Sequence, residues 1–308
     1  MSGFISIFPG QGSQKTGMGK DFFDNSKIAR EMIERASDRL DLDFENLLFV
    51  ENEDLEKTQF TQPAILLVSS IAYRLFMEEA GKDTEISLGH SLGEFSALVG
   101  VGALDYLDGI ELVYNRGLFM AKACEGKNAG MMALLGIKDE VVEEIAQKAR
   151  DEGKKVWAAN YNNDAQLVVA GDRDDLASLE SVFKENGAKR AILLNMSVAS
   201  HCPLLEDASK NLTPYLEKFL KDSFRGFVIS NATAKAYNTK DDAVSLLQKQ
   251  LIMPVLYKQS IKAVEDKTER FIEFGGAVLK GINKKITKKE TLSIVDMDSL
   301  EKALSEVK

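Results

Sequence analysis

The chain has 308 residues, 44% of them hydrophobic, enough for one large domain plus a smaller one around a sizeable core. Its 39 Lys and Arg against 48 Asp and Glu give a formal net charge of −9, which argues against nucleic acid as a partner, because neutralising phosphates needs clustered cations. No run approaches the roughly 18 consecutive apolar residues of a membrane span, and the N-terminal stretch Gly3–Phe8 reads as a strand with no basic n-region, so neither a membrane nor secretion is expected and the cytoplasm is the expected compartment.

In chain order, the strand at Gly3–Phe8 is followed by a helix predicted over Gln62–Ala80 and a buried strand over Thr84–Leu88. That second strand runs into Gly89-His90-Ser91-Leu92-Gly93 and then into a helix with apolar spacing through Val99. A serine between two glycines at a strand-to-helix turn is the pattern of a nucleophile elbow, which exposes the serine oxygen and turns main-chain N–H groups towards the reacting carbon. The same pentapeptide also fits a serine that merely caps the next helix.

A helix predicted over Asp105–Cys124 carries Leu112, Val113, Met120, Ala123 and Cys124 on one stripe, and Arg116 falls on that stripe too. A charge there must be paired. An internal ion pair, a guanidinium that reaches water across apolar surface, or a fork that grips a substrate carboxylate would each satisfy it.

Strand (Gly130–Leu135), helix (Asp139–Arg150), strand (Lys155–Asn160), strand (Gln166–Ala170), helix (Asp174–Asn186) and strand (Lys189–Leu194) follow. This βαββαβ order predicts a ferredoxin-like subdomain over 126–197, inserted into a large catalytic domain made of 1–125 and 198–308. Strands near Ile5, Ile86, Val228, Phe271 and Ile294 alternate with helices over Leu204–Leu220, Asp241–Leu251 and Ala277–Ile286. The fold class is therefore α/β, a large α/β-hydrolase-like domain with a mostly parallel sheet, and the site is expected in the cleft between it and the insert.

The chain has only two histidines, His90 and His201. Neighbours on a tight turn point apart, so His201 is the better base for Ser91, at the end of the strand Ala191–Leu194 and just before a helix opened by Pro203. Cys124 and Cys202 lack metal-type spacing and fit a reducing compartment; Cys202 reads as a small buried apolar residue rather than half of a Cys–His pair. No metal and no cofactor is expected.

Phe8-Pro9-Gly10-Gln11-Gly12-Ser13-Gln14, Thr61-Gln62-Pro63-Ala64, Gly89-His90-Ser91-Leu92-Gly93-Glu94, Asn115-Arg116-Gly117, Asn160-Tyr161-Asn162, Ser200-His201-Cys202 and Gln250 ahead of Pro254-Val255 occur in an order and spacing that resemble the malonyl-CoA:acyl carrier protein transacylases of fatty-acid synthesis. The resemblance runs from end to end. It implies a cytoplasmic transferase that moves a malonyl group from malonyl-CoA to the pantetheine thiol of an acidic, phosphopantetheinylated acyl carrier protein, by a ping-pong route through an ester on Ser91. His201 would be the base and then the acid, and a main-chain carbonyl at Gln250 would orient it, so that a dyad replaces a triad. Main-chain N–H groups of Leu92, directly after the nucleophile, and of Gln11 would hold the oxyanion, and Arg116 would bind the malonyl carboxylate.

Ser200 before the histidine matches malonyl-selective members serving fatty-acid synthesis. Two departures from the family pattern stand out: Glu273–Leu279 is one residue shorter than usual, and Met253 replaces a common polar residue. Two basic gatherings could meet an acidic carrier, Lys184 with Lys189 and Arg190, and Lys280 with Lys284, Lys285, Lys288 and Lys289, although each also fits a solvated face. A serine esterase or thioesterase with the same elbow, an acyltransferase serving polyketide carriers, and a non-catalytic carrier-docking module are the alternatives.

Overall fold

A computed structural model describes residues 3–81, 84–196 and 198–307. Strands β1 (Phe4–Phe8), β2 (Ile86–Gly89), β3 (Ala129–Leu135), β4 (Val156–Asn163), β5 (Gln166–Asp172), β6 (Arg190–Leu193), β7 (Phe227–Ile229), β8 (Ala236–Tyr237), β9 (Arg270–Phe274) and β10 (Glu290–Ile294) form two sheets. The larger has the order β10-β9-β1-β2-β7-β8 and is parallel except for the hairpin-like β7–β8 pair at one edge. Its central strand β1, Phe-Ile-Ser-Ile-Phe, is buried at every position, as a strand covered on both faces must be.

Both faces are covered by helices. Thr58–Ala80 starts four residues before the predicted Gln62 and lies beside Tyr106–Cys124 in the main core. It is long and apolar enough to cross a bilayer by length and composition, yet 83% of its most apolar window is buried inside the protein. The amphipathic helices Lys27–Leu40 and Met297–Val307, which lie outside the predicted elements, pack against it. Tyr257–Val264, also outside them, covers Ile5, Ile7 and Leu88 on the opposite face.

The second sheet has the order β4-β5-β3-β6, antiparallel throughout, which is 4-1-3-2 read from β6 and numbered along this stretch of chain. Together with its two helical segments this is the ferredoxin-like arrangement. It has a core of its own, with Met132, Leu134, Val142 and Phe183 among its members. The single helix predicted over Asp174–Asn186 is instead two, Arg173–Ser178 and Glu180–Glu185, meeting at Leu179. Ser178 turns its hydroxyl back onto the carbonyl of Asp175 (2.7 Å), a local bond that competes with regular helix.

Strand β4 runs three residues past the predicted Asn160, with irregular register at Ala158/Asn160 and Tyr161/Asn163. Its edge is stitched to the large domain: Tyr161 N–H donates to the Val255 carbonyl (2.9 Å) and Val255 N–H to that of Ala159 (2.8 Å). The two sheets are thereby joined along one side of the cleft, with Asn160 and Asn162 on its wall. Ser197, the last residue of the predicted insert, lies outside the described residues.

Candidate active site

Ser91 follows β2 after the single residue His90 and has φ +52°, a left-handed conformation that a non-glycine residue adopts only when its surroundings hold it there. The flanking glycines permit the turn. A Cβ on Gly89 would lie 2.0 Å from the carbonyl carbon of Gly93, and one on Gly93 would lie 2.0 Å from the carbonyl oxygen of Phe8. What holds it is Asn231, just after β7: its Oδ1 accepts from Ser91 N–H (2.6 Å) while its Nδ2 donates to the Gly89 carbonyl (2.8 Å). One buried amide thus spans the elbow.

His201 Nε2 lies 2.8 Å from Ser91 Oγ, and its Nδ1 lies 2.6 Å from the main-chain carbonyl of Gln250. A carbonyl only accepts, so Nδ1 carries the proton and Nε2 is left to accept from the serine hydroxyl. Burial, and then the charge of Arg116, push the His201 pKa down to about 3, which keeps the imidazole neutral at neutral pH. His90 points elsewhere, with its Nε2 2.8 Å from Asn162 Oδ1 and its ring against Tyr257. Cys202 is fully buried, and burial raises its thiol to about 12, so it presents no thiolate at neutral pH.

Arg116, 1% exposed, comes off Tyr106–Cys124 beneath the serine. Its Nη1 donates to Gln62 Oε1 (2.7 Å), and its Nη2 donates to Gln250 Oε1 (3.0 Å) and Ser91 Oγ (3.2 Å). Among the described residues no ion pair takes it up, and its Nε has no hydrogen-bond partner. The guanidinium lies over the Phe95 ring (5.3 Å), and burial lowers its pKa to about 10, so it stays cationic. Ser91, His201, Arg116, Gln11 and Leu92 all line one cleft of about 890 Å³, whereas Gln250 is fully buried behind it. A serine hydroxyl with a neutral base and a buried cation both within hydrogen-bond reach of it suits acyl transfer with an anionic acyl group.

A sequence profile of the acyl transferase domain matches residues 5–289. The chain belongs to this acyltransferase family. It is 36% identical over 313 residues to a malonyl CoA-acyl carrier protein transacylase of Bacillus subtilis, covering all of this chain and 98% of that protein. The crystal structure of malonyl-CoA:acyl carrier protein transacylase from Helicobacter pylori superposes with a TM-score of 0.96 at 45% identity, over 99% of both chains. A malonyl-transacylase in complex with its type II polyketide synthase acyl-carrier protein superposes with a TM-score of 0.95 at 32% identity, over 99% of this chain and all of that one.

Asn231, Gln62 and Glu94 bond to the side chains of this site and to the elbow, and no site role is predicted for them from the sequence. Gln62 and Glu94 sit inside recognisable motifs, and Glu94 is a lone acid in the apolar helix Gly93–Gly100, a signal that it is paired in the interior. Asn231 follows a three-residue strand and carries no such signal. Of the two departures, Met253 is partly exposed at a helix C-terminus, and the shortened segment turns at Gly275 (φ +82°), where a Cβ would lie 2.7 Å from the Ser69 main chain.

Proposed function

We propose that this acyltransferase carries the malonyl group of malonyl-CoA to the pantetheine thiol of an acyl carrier protein, as a step of fatty-acid synthesis in the cytoplasm. The observation that carries this reading is the single contact set at Ser91 Oγ, with His201 Nε2 at 2.8 Å and Arg116 Nη2 at 3.2 Å. Two unpaired, buried cysteines fit a reducing compartment.

Ser91 Oγ attacks the thioester carbonyl as its proton passes to His201 Nε2, and the oxyanion is held by the N–H groups of Leu92 and Gln11. The C–S bond then breaks and His201 returns the proton to the CoA sulfur, leaving a malonyl ester on Ser91. In the second half-reaction His201 takes the proton of the pantetheine thiol, the thiolate attacks the ester, and Ser91 Oγ recovers the proton. The Gln250 carbonyl fixes the imidazole in the one tautomer that can do this. Arg116 holds the malonyl carboxylate: once Ser91 Oγ is esterified its claim on Nη2 weakens, so Nη1 and Nη2 can present a fork. Polyketide carriers are a second acceptor class, favoured by the likeness to the transacylase solved with such a carrier.

Intact-protein mass spectrometry after mixing with malonyl-CoA tests the reading. Wild type gains one malonyl mass, Ser91→Ala gains none, and His201→Ala gains it roughly 10²–10⁴-fold more slowly, the usual worth of a general base. An undiminished adduct on Ser91→Ala, or an adduct that hydrolyses in seconds without a thiol, overturns transfer through Ser91 in favour of another nucleophile or an esterase.

A further inference from the structure

Behind the cleft lies a carboxylate for which the acyl-transfer steps have no use. Glu94 is fully buried on the helix that follows Ser91. Its Oε2 accepts from the main-chain N–H of Asn231 (3.0 Å) and from Gln250 Nε2 (2.8 Å), and its Oε1 accepts from the Tyr237 phenol (3.0 Å). Asn231 in turn holds Ser91 N–H, and Gln250 touches three of the reacting groups. Its Nε2 donates to the Ser91 carbonyl (2.9 Å), its Oε1 accepts from Arg116 Nη2 (3.0 Å), and its own carbonyl accepts from His201 Nδ1 (2.6 Å).

The Gln250 amide has one workable orientation. Nε2 faces two acceptors, the Ser91 carbonyl and the Glu94 carboxyl, and Oε1 faces a guanidinium. Flipped, its oxygen would meet a carboxylate and a carbonyl while its NH2 group met a cation, and every contact would become repulsive. The Glu94 charge also supports the Arg116 cation against its burial.

We propose that Glu94 is a positioning residue for acyl transfer: ionised, it locks the Gln250 amide, and with it the Arg116 fork and the carbonyl that orients His201, while its hold on Asn231 keeps Ser91 in its left-handed turn. The role rests on the acyl-enzyme reading above. The charged and titratable groups facing the Glu94 carboxyl are Arg116 and Tyr237, the phenol raised well above its ordinary pKa by burial and by this same carboxyl. Burial lifts Glu94 to about 7 against the pull of its three hydrogen bonds and of Arg116, whereas His201 sits at about 3 and burial lowers His90 as well. The two functional groups therefore titrate far apart. As pH rises through about 7 Glu94 loses its proton and its bonds become charge-assisted, so acylation speeds up; protonation of His201 does not intervene until much lower pH.

The test is the pH dependence of acylation, followed by rapid-quench mass spectrometry with malonyl-pantetheine, a donor without the CoA phosphates that would titrate in the same range. Wild type is expected to show a rising limb near pH 7. In Glu94→Gln the amide oxygen can still accept from Asn231 and Gln250 and the amide NH2 can reach the Tyr237 oxygen, so the limb disappears and the rate above it falls about tenfold, the equivalent of about 1.4 kcal/mol for replacing charge-assisted by neutral bonds. Tyr237→Phe removes a donor that lowers the Glu94 pKa, so its limb moves to higher pH; this variant decides the matter if Glu94→Gln does not fold. A limb that persists unchanged in Glu94→Gln or stays put in Tyr237→Phe overturns the proposal. So does a wild-type rate that is flat through neutrality, which leaves the acyl-enzyme reading standing, whereas a wild type that forms no adduct at any pH fails that reading itself.

Discussion

Arg116 shows how a buried charge is kept usable. An arginine 1% exposed without a salt bridge would be costly if its donors were idle, and here Gln62, Gln250 and the serine hydroxyl absorb three of them while Phe95 offers its ring face. These partners are neutral, and Glu94, when ionised, supports the cation; on the proposed function the charge is left largely for an incoming carboxylate. Charge-assisted hydrogen bonds contribute roughly 1.5–3 kcal/mol, so Arg116→Ala should slow acylation by malonyl-CoA by about 10–150-fold. Acetyl-CoA has no carboxylate to lose, and the malonyl-to-acetyl ratio should collapse in a side-by-side mass assay. Arg116→Lys should recover only part of the preference, because an ammonium cannot form the planar fork. Equal losses on both thioesters would mean that Arg116 holds the cleft together rather than selecting the acyl group.

At the level of elements, the elbow works because two consecutive elements are met by a turn from far along the chain. Strand β2 delivers Gly89, the helix Gly93–Gly100 begins two residues after Ser91, and the turn after β7 supplies Asn231. Asn231→Ala would leave the buried Ser91 N–H and Gly89 carbonyl unsatisfied, at about 1–3 kcal/mol for each such group. Urea unfolding should show that loss, and malonyl adduct formation should slow because the strained turn at Ser91 relaxes. Asn231→Asp is the sharper probe. It keeps the shape and the acceptor for Ser91 N–H but sets an oxygen against the Gly89 carbonyl, so it should lie near the alanine variant rather than near wild type. Wild-type stability and rate in both variants would show that the glycines alone hold the elbow.

Across the whole molecule, the cleft wall is shared by the two sheets, which are tied by the Val255–β4 bridge and by the His90–Asn162 bond. None of the lysines and arginines in the two predicted basic gatherings lines this cleft; the cations on its rim are Lys57, Lys127 and Arg173. Lys57 and Lys127 are exposed, Lys57 paired with Asp54 (2.6 Å), and Arg173 is engaged with the carbonyl of Leu194 (3.1 Å). On the proposed function, an acidic carrier that delivers a thiol to Ser91 would meet this rim. The double variant Lys57→Glu, Lys127→Glu should therefore slow transfer from malonyl-enzyme to carrier several-fold while acylation by phosphate-free malonyl-pantetheine is unchanged, and added salt should narrow the difference. If reversal at Lys284 and Lys285 has the larger effect, the carrier docks away from the rim.

Read without coordinates, the chain already declared its α/β class, the βαββαβ insert, the elbow around Ser91 and the odd placement of Arg116 on an apolar stripe. Each of these is written in local spacing, in periods of two or 3.6 residues, glycines around a turn, or a charge on the wrong helix face. The tertiary structure decided what those residues meet. Ser91 and His201 are 110 positions apart, Arg116 and Gln250 are 134 apart, and Asn231 reaches Ser91 across 140. No periodicity encodes such pairings, because they follow from strand order and from how the insert closes on the large sheet. The break at Leu179 and the overrun of β4 to Asn163 escaped the sequence for a related reason: a serine bonding back to its own helix and an edge strand captured by Val255 outweigh local propensity. The buried acid Glu94 lies between the two cases. Its burial could be suspected from its neighbours, but that it joins nucleophile, base and arginine depends on Asn231, Tyr237 and Gln250 arriving together from the distant C-terminal third of the chain.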